Sequence, residues 1–117
     1  MTRDEIRKAW IEALRSGKYK QGYDGCLRNK YDEYCCLGVL CEVMGHTAEL
    51  YEDVDEYEYN GVTDILTKEV ADAMGLYSRV GNPKNPNDIA LTELNDEVRM
   101  PFPQIADALE TGEYWKP

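Results

Sequence analysis

Tyr34-Cys35-Cys36-Leu37-Gly38-Val39-Leu40-Cys41 is an apolar run that continues through Val43 and Met44 to Gly45. Read at helical spacing, residues 34–44 carry apolar side chains on nearly every side. Such a helix belongs at the centre of a core and ends at Gly45. Gly38 within it lowers helix propensity by about 1 kcal/mol against Ala. Its missing side chain lets a neighbouring element pack close.

Three of the four cysteines lie in this run, and the fourth is Cys26. On a helix, Cys36 and Cys41 sit about 140° apart and Cys35 and Cys41 about 120° apart. That spacing scatters them, no CxxC pair is present, and the single histidine, His46, completes no familiar zinc set. They read as small buried apolar residues of a reduced compartment, with no metal and no cofactor implied. A thiol at the helix start, Cys35 or Cys36, is expected to have a lowered pKa.

Working outward, Thr2 and Glu5 form a capping-box pattern before Ile6, Ala9, Trp10, Ala13 and Leu14, with Gly17 as the stop. Residues 18–31 read as a short irregular hairpin, Lys18–Gly22 returning through Tyr23-Asp24-Gly25 to Cys26–Arg28. Asn60-Gly61 predicts a second small hairpin between 55–59 and 62–65. Thr67 caps a helix ending at Gly75, and Asp88 is expected to cap another over 89–94 that stops at Asn95-Asp96. Pro101 and Pro103 set up a last helix closed by Gly112. The tail residues Tyr114 and Trp115 either dock or stay exposed. This is a single compact α+β domain over 1–117, mainly helical, with about five short helices and one or two small β-hairpins. An acidic Tyr-rich insertion at about 46–64 and a Pro/Asn loop at 78–87 decorate it.

The chain of 117 residues has a formal net charge of -10. No stretch approaches the roughly 18 apolar residues of a membrane span. Met1-Thr2-Arg3-Asp4-Glu5 has no apolar segment of the kind a secretory signal needs. A cytoplasmic location is therefore expected, and the bulk charge disfavours direct nucleic-acid binding. The charge is also uneven. Residues 1–30 hold eight bases against four acids, net +4, and the remainder holds five bases against nineteen acids, net -14.

The order Trp10-x-x-Ala13-Leu14-x-Ser16-Gly17-x-Tyr19-x-Gln21-Gly22, then Leu27-Arg28, then Tyr34 to Cys41, then Leu94-Asn95-Asp96 and Phe102-x-x-Ile105-Ala106-Asp107 resembles a group of small proteins of tailed bacteriophages and prophages. The resemblance covers most of the chain outside 46–64 and 78–87. It implies a phage-type accessory protein in a bacterial host cell and supplies no catalytic residues.

Three constellations invite functional readings. The acidic stretch holds six acids in ten residues, interleaved with tyrosines: Glu49, Tyr51, Glu52, Asp53, Asp55, Glu56, Tyr57 and Glu58. Carboxylates steer association and Tyr supplies contact area at low entropic cost, so these eight residues are the expected partner-binding surface for a host or defence protein. Six acids are few beside the charge of duplex DNA, about one per 1.7 Å, so a local plug fits better than a duplex mimic. The second constellation is a small-molecule or nucleotide site built from Lys18, Lys20, Gln21, Arg28, Asn95 and Asp96. For Gln21 and Asn95 the alternative is a structural amide. The third is a thiol enzyme using Cys35 or Cys36 with His46 and Asn95 or Asp96. It suffers because ten helical residues place His46 about 15 Å from Cys36.

Overall fold

The computed structural model describes residues 1–117. Five helices and two small two-stranded sheets surround one core. In chain order they are α1 (Arg3–Arg15), β1 (Lys20–Gln21), β2 (Glu33–Tyr34), α2 (Cys36–Val43), β3 (Ala48–Tyr51), β4 (Glu56–Tyr59), α3 (Lys68–Met74), α4 (Leu91–Asp96) and α5 (Phe102–Glu110). No helix is long and apolar enough to cross a membrane.

Local chemistry explains the helix ends. Both bonds of the capping box between Thr2 and Glu5 form at the start of α1. Thr67 caps α3 by accepting from the Val70 N–H, and Gly75 ends it in the left-handed conformation. Helix α2 is shorter than the apolar run suggests, because Cys35 is its N-cap and its sulfur accepts from the Gly38 N–H. Helix α4 departs from expectation. Asp88 does not cap it; Ala90 occupies the N-cap and offers no side-chain bond. Its first N–H groups are satisfied by the preceding loop instead, Leu91 donating to the Gly81 carbonyl at 2.9 Å and Thr92 to Val80 at 3.3 Å. Nor do Asn95 and Asp96 stop it; they are its last two residues, Glu97 is the C-cap, and the positive φ falls at Arg99.

The strands pair differently from the sequence reading. Strand β1 joins β2 in parallel, Lys20 opposite Glu33 and Gln21 opposite Tyr34. It does not form a hairpin with 26–28. The stretch 27–30 lies instead between the two sheets. On one side Cys35 donates to the Leu27 carbonyl and Asn29 to Glu33. On the other, Tyr57 donates to Arg28, Lys30 to Asp55, and Leu27 to Thr63. The Asn60-Gly61 turn is present, both residues at positive φ. Its hairpin stops after the single pair Tyr59–Val62, because the Thr63 carbonyl is taken by Leu27. Strand β4 pairs backwards with β3, Ala48 opposite Tyr59 through to Tyr51 opposite Glu56. The whole forms one ladder in the order β1, β2, 27–30, β4, β3.

Helix α2 sits at the centre, with Cys36, Leu37, Val39 and Leu40 fully buried. Trp10 from α1 is fully buried against it and donates its indole N–H to the Cys36 carbonyl at 2.9 Å. The tail docks. Trp115 meets Trp10 edge-to-face at 5.7 Å, and its indole N–H reaches the Leu109 carbonyl. The Arg7 guanidinium lies over the Trp115 ring, 4.2 Å from its centre.

Gly38 explains how 27–30 reaches this centre. A Cβ there would overlap the Leu27 carbonyl oxygen and carbon, both backbone atoms. Replacing Gly38 with Ala must separate α2 from 27–30 and loosen the Cys35–Leu27 bond. We expect Gly38→Ala to lower the unfolding free energy in urea by about 3 kcal/mol. A loss below about 1 kcal/mol would show that the two elements are free to move apart.

Candidate functional site

The β3–β4 hairpin carries the acidic stretch, and strand alternation sorts its residues. Ala48, Leu50, Tyr57 and Tyr59 share the face toward the body; Glu49, Tyr51, Glu56 and Glu58 share the opposite face. Tyr59 is fully buried and donates its hydroxyl to Glu42 at 2.8 Å. Tyr57 lies beneath the Arg28 guanidinium, 4.0 Å from ring centre to cation. Of the eight residues read from the sequence as partner-binding, Tyr57 alone therefore turns inward. Glu52, Asp53 and Asp55 form the turn with Val54, and Asp55 adopts positive φ.

Electrostatics single this hairpin out. Asp55 pairs with Lys30 at 3.3 Å, while Glu49, Glu52, Asp53, Glu56 and Glu58 have no base within ion-pair distance. Glu49 stands directly opposite Glu58, a cross-strand pairing of like charge that costs stability. Beside the acids lie exposed apolar groups. Tyr51 is 48% exposed, Val54 50% and Tyr31 70%. A cleft of 290 Å³ opens next to them, lined by Asp24, Cys26, Asn29, Lys30, Tyr31, Val54, Asp55 and Glu56. Tyr31 and Val54 were not among the sequence candidates. Tyr31 sits on the 29–33 turn, which the buried Asn29 builds by accepting from the Tyr31 and Glu33 N–H groups.

The second constellation is taken up by the fold. Asn95 is fully buried. Its carbonyl oxygen accepts from Gln21 at 2.9 Å and from the Cys36 N–H at 3.2 Å. Its amide nitrogen donates to the Gly22 carbonyl and to Asp96, both at 2.8 Å. Gln21 also donates to the Met100 carbonyl and accepts from the Phe102 N–H. Both amides are thus spent on internal bonds. Arg28 is held by Asp32 at 2.7 Å and stacks on Tyr57 and Tyr34. Burial is the strongest single influence and works against its charge, but the Asp32 bond together with the neighbouring Tyr59 and Tyr34 raises its pKa on balance. Asp96 is half-buried, and burial raises its carboxyl pKa. Lys18 and Lys20 are exposed, and none of the four surface clefts is lined by any of these six residues.

The third constellation does not assemble. Cys36 is fully buried and its thiol faces the Leu91 carbonyl, while His46 lines a separate cleft with Met44, Thr67 and Val70. All four cysteines are free and buried. No three His, Cys, Asp or Glu side chains are arranged to hold a metal ion. The lowered thiol pKa expected at the start of α2 is reversed. Desolvation pushes Cys35 up to about 12, against the opposing Gly38 N–H bond, and Cys36 well above its ordinary value.

This small α+β domain, with an acidic hairpin at one end of its ladder, belongs to the family described as Domain of unknown function (DUF8296), which it matches over residues 2–113. No curated protein and no solved structure matches the chain.

Two predictions follow from the buried polar and thiol groups. Asn95→Ala leaves the Cys36 N–H and the Gly22 carbonyl without their partners and should cost about 3 kcal/mol in urea unfolding. A loss under about 1 kcal/mol would mean that water replaces the amide. Cys26, Cys35 and Cys41 rise to about 12 from 9.0 through burial. The fold favours the neutral thiols, so their contribution to stability is complete below 9.0 and is lost as pH climbs from there towards 12. The melting temperature should fall over that window, and at pH 8 a disulfide reagent should label Cys35, Cys36 and Cys41, which line no cleft, only as fast as the protein unfolds. Fast labelling of these three in the native protein would contradict the burial.

Proposed function

We propose that this protein is a small acidic phage-type accessory protein that acts by binding rather than catalysis. Its partner is a host or defence protein with a basic surface, which it modulates or inhibits in the bacterial cytoplasm. One observation carries the reading: five acids on one hairpin with no base to neutralise them, next to the exposed side chains of Tyr51, Val54 and Tyr31. Unpaired carboxylates raise the association rate with a basic surface, and the exposed aromatic and aliphatic groups supply area to be buried once contact is made. The same charges repel phosphate, so direct contact with nucleic acid is disfavoured. The resemblance to tailed-phage proteins supports a bacterial setting.

The test is the combined variant Glu49→Gln, Glu52→Gln, Asp53→Asn and Glu58→Gln. None of the four is in an ion pair, and removing the Glu49–Glu58 opposition should leave stability unchanged or raise it by about 0.5 kcal/mol. Retention of the partner from bacterial lysate should weaken about tenfold or more in the variant, and in the native protein as salt is raised. Equal retention by the folded variant would overturn the reading.

A further inference from the structure

The hairpin has one edge in use and one free. Tyr57 donates to Arg28 and Tyr59 to Val62, so the backbone groups of these two residues point away from β3. The bonds between β3 and β4 are therefore made at the pairs Glu49–Glu58 and Tyr51–Glu56. By the alternation of an antiparallel ladder, the N–H and C=O groups of Ala48 and Leu50 face the open side. No loop or side chain takes them up. Glu49, Leu50 and Tyr51 are all exposed there, Leu50 to 43%. The edge is also preformed, because β4 is held from behind by 27–30.

We propose that the free edge of β3 accepts a basic, extended segment of a partner protein as an added antiparallel strand. The proposal rests on the acid-surface reading above and gives it a geometry. Residues opposite each other across a ladder share a face. A residue beside Glu49 lies on the acidic face with Glu58 and Tyr51, so a Lys or Arg fits there. A residue beside Leu50 lies on the apolar face, so an aliphatic side chain fits there. The matching segment alternates basic and apolar residues, with main-chain bonds to Ala48 and Leu50 supplying affinity and the carboxylates selecting the sequence. A second copy of this chain is the wrong occupant. Pairing β3 with β3 through the open groups of Ala48 and Leu50 would lay two acidic faces side by side, and in the register that matches Ala48 with Leu50 it would set Glu49 against its own copy.

The probe is a fluorescent Lys-Val-Lys-Val-Lys peptide followed by anisotropy, alongside two derivatives with N-methyl groups on the valines or on the internal lysine. In the antiparallel register the valine N–H groups point at β3 and the lysine N–H points away. The parent and lysine-methylated peptides should bind, and valine methylation should weaken binding about tenfold or more. The Ala48 and Leu50 amides should gain protection from hydrogen exchange with the parent peptide. Charge is the same in both derivatives, so acid-face attraction alone treats them alike. Equal affinity of the two, at any level, overturns edge pairing. The acid-surface reading is judged separately, by the parent peptide on Glu49→Gln/Glu58→Gln. Equal binding to native and variant protein overturns that reading.

Discussion

The contact between the Leu27 backbone and Gly38 sets the terms for the rest of the molecule. A short stretch, 27–30, must pass close to a buried helix while bonding to strands on both of its sides. Any side chain on α2 at that point would push it away, because the atoms it would meet are backbone atoms and have no rotamer to retreat into. The glycine lowers the propensity of an eight-residue helix. In exchange, the Leu27 carbonyl accepts from Cys35, Arg28 accepts from Tyr57, and two separate pairs of strands become one ladder. The hairpin that carries the acids is anchored through this stretch, through Tyr59, whose ring is fully buried, and through Ala48 and Tyr57, which pack against the core.

Asn95 does for the helices what 27–30 does for the strands. It sits on α4 and reaches the first N–H of α2, the carbonyl after β1 and the side chain of Gln21, which in turn holds the start of α5. Buried amides with every group bonded specify one arrangement, since each alternative packing leaves a donor or acceptor orphaned. Residues 94–96, with Gln21, thus have a role that needs no ligand. The charge on Asp96 is disfavoured by its half-buried position, and its bond from Asn95 offsets part of that cost.

What was legible in the sequence follows the range of the interactions. Helices α1, α3 and α5 end where nearby residues end them: Thr2 with Glu5, Thr67 with Gly75, and Pro101 with Pro103. Those signals act within four residues. The start of α4 depends on the Gly81 carbonyl ten residues earlier, a partner that no local pattern around Asp88 reveals. The strand pairs were the least legible, because segment 27–30 chooses between partners near it in sequence and partners thirty residues away. The site divides in the same way. Glu49 to Glu58 announce themselves by composition. That Tyr57 faces inward needs the register, and that Tyr31 stands beside Val54 needs the Asn29–Glu56 bridge between distant segments.

The ladder also turns the uneven charge of the chain into a direction. Lys20 at the β1 edge is matched by Glu33 on β2. One step on, Arg28 is matched by Asp32, and at the near side of the hairpin Lys30 is matched by Asp55. Beyond that the bases run out, and β3 and the outer face of β4 carry Glu49, Glu56 and Glu58 alone. Charged side chains on an edge strand are a known guard against self-association, and that role accounts for Glu49. It accounts less well for Glu58, which sits on the inner strand, and for Tyr51 and Val54, whose exposed side chains work against such a guard. Acids that cost cross-strand repulsion, set among exposed apolar groups on a well-anchored hairpin, fit a surface that gains its missing cations from another molecule.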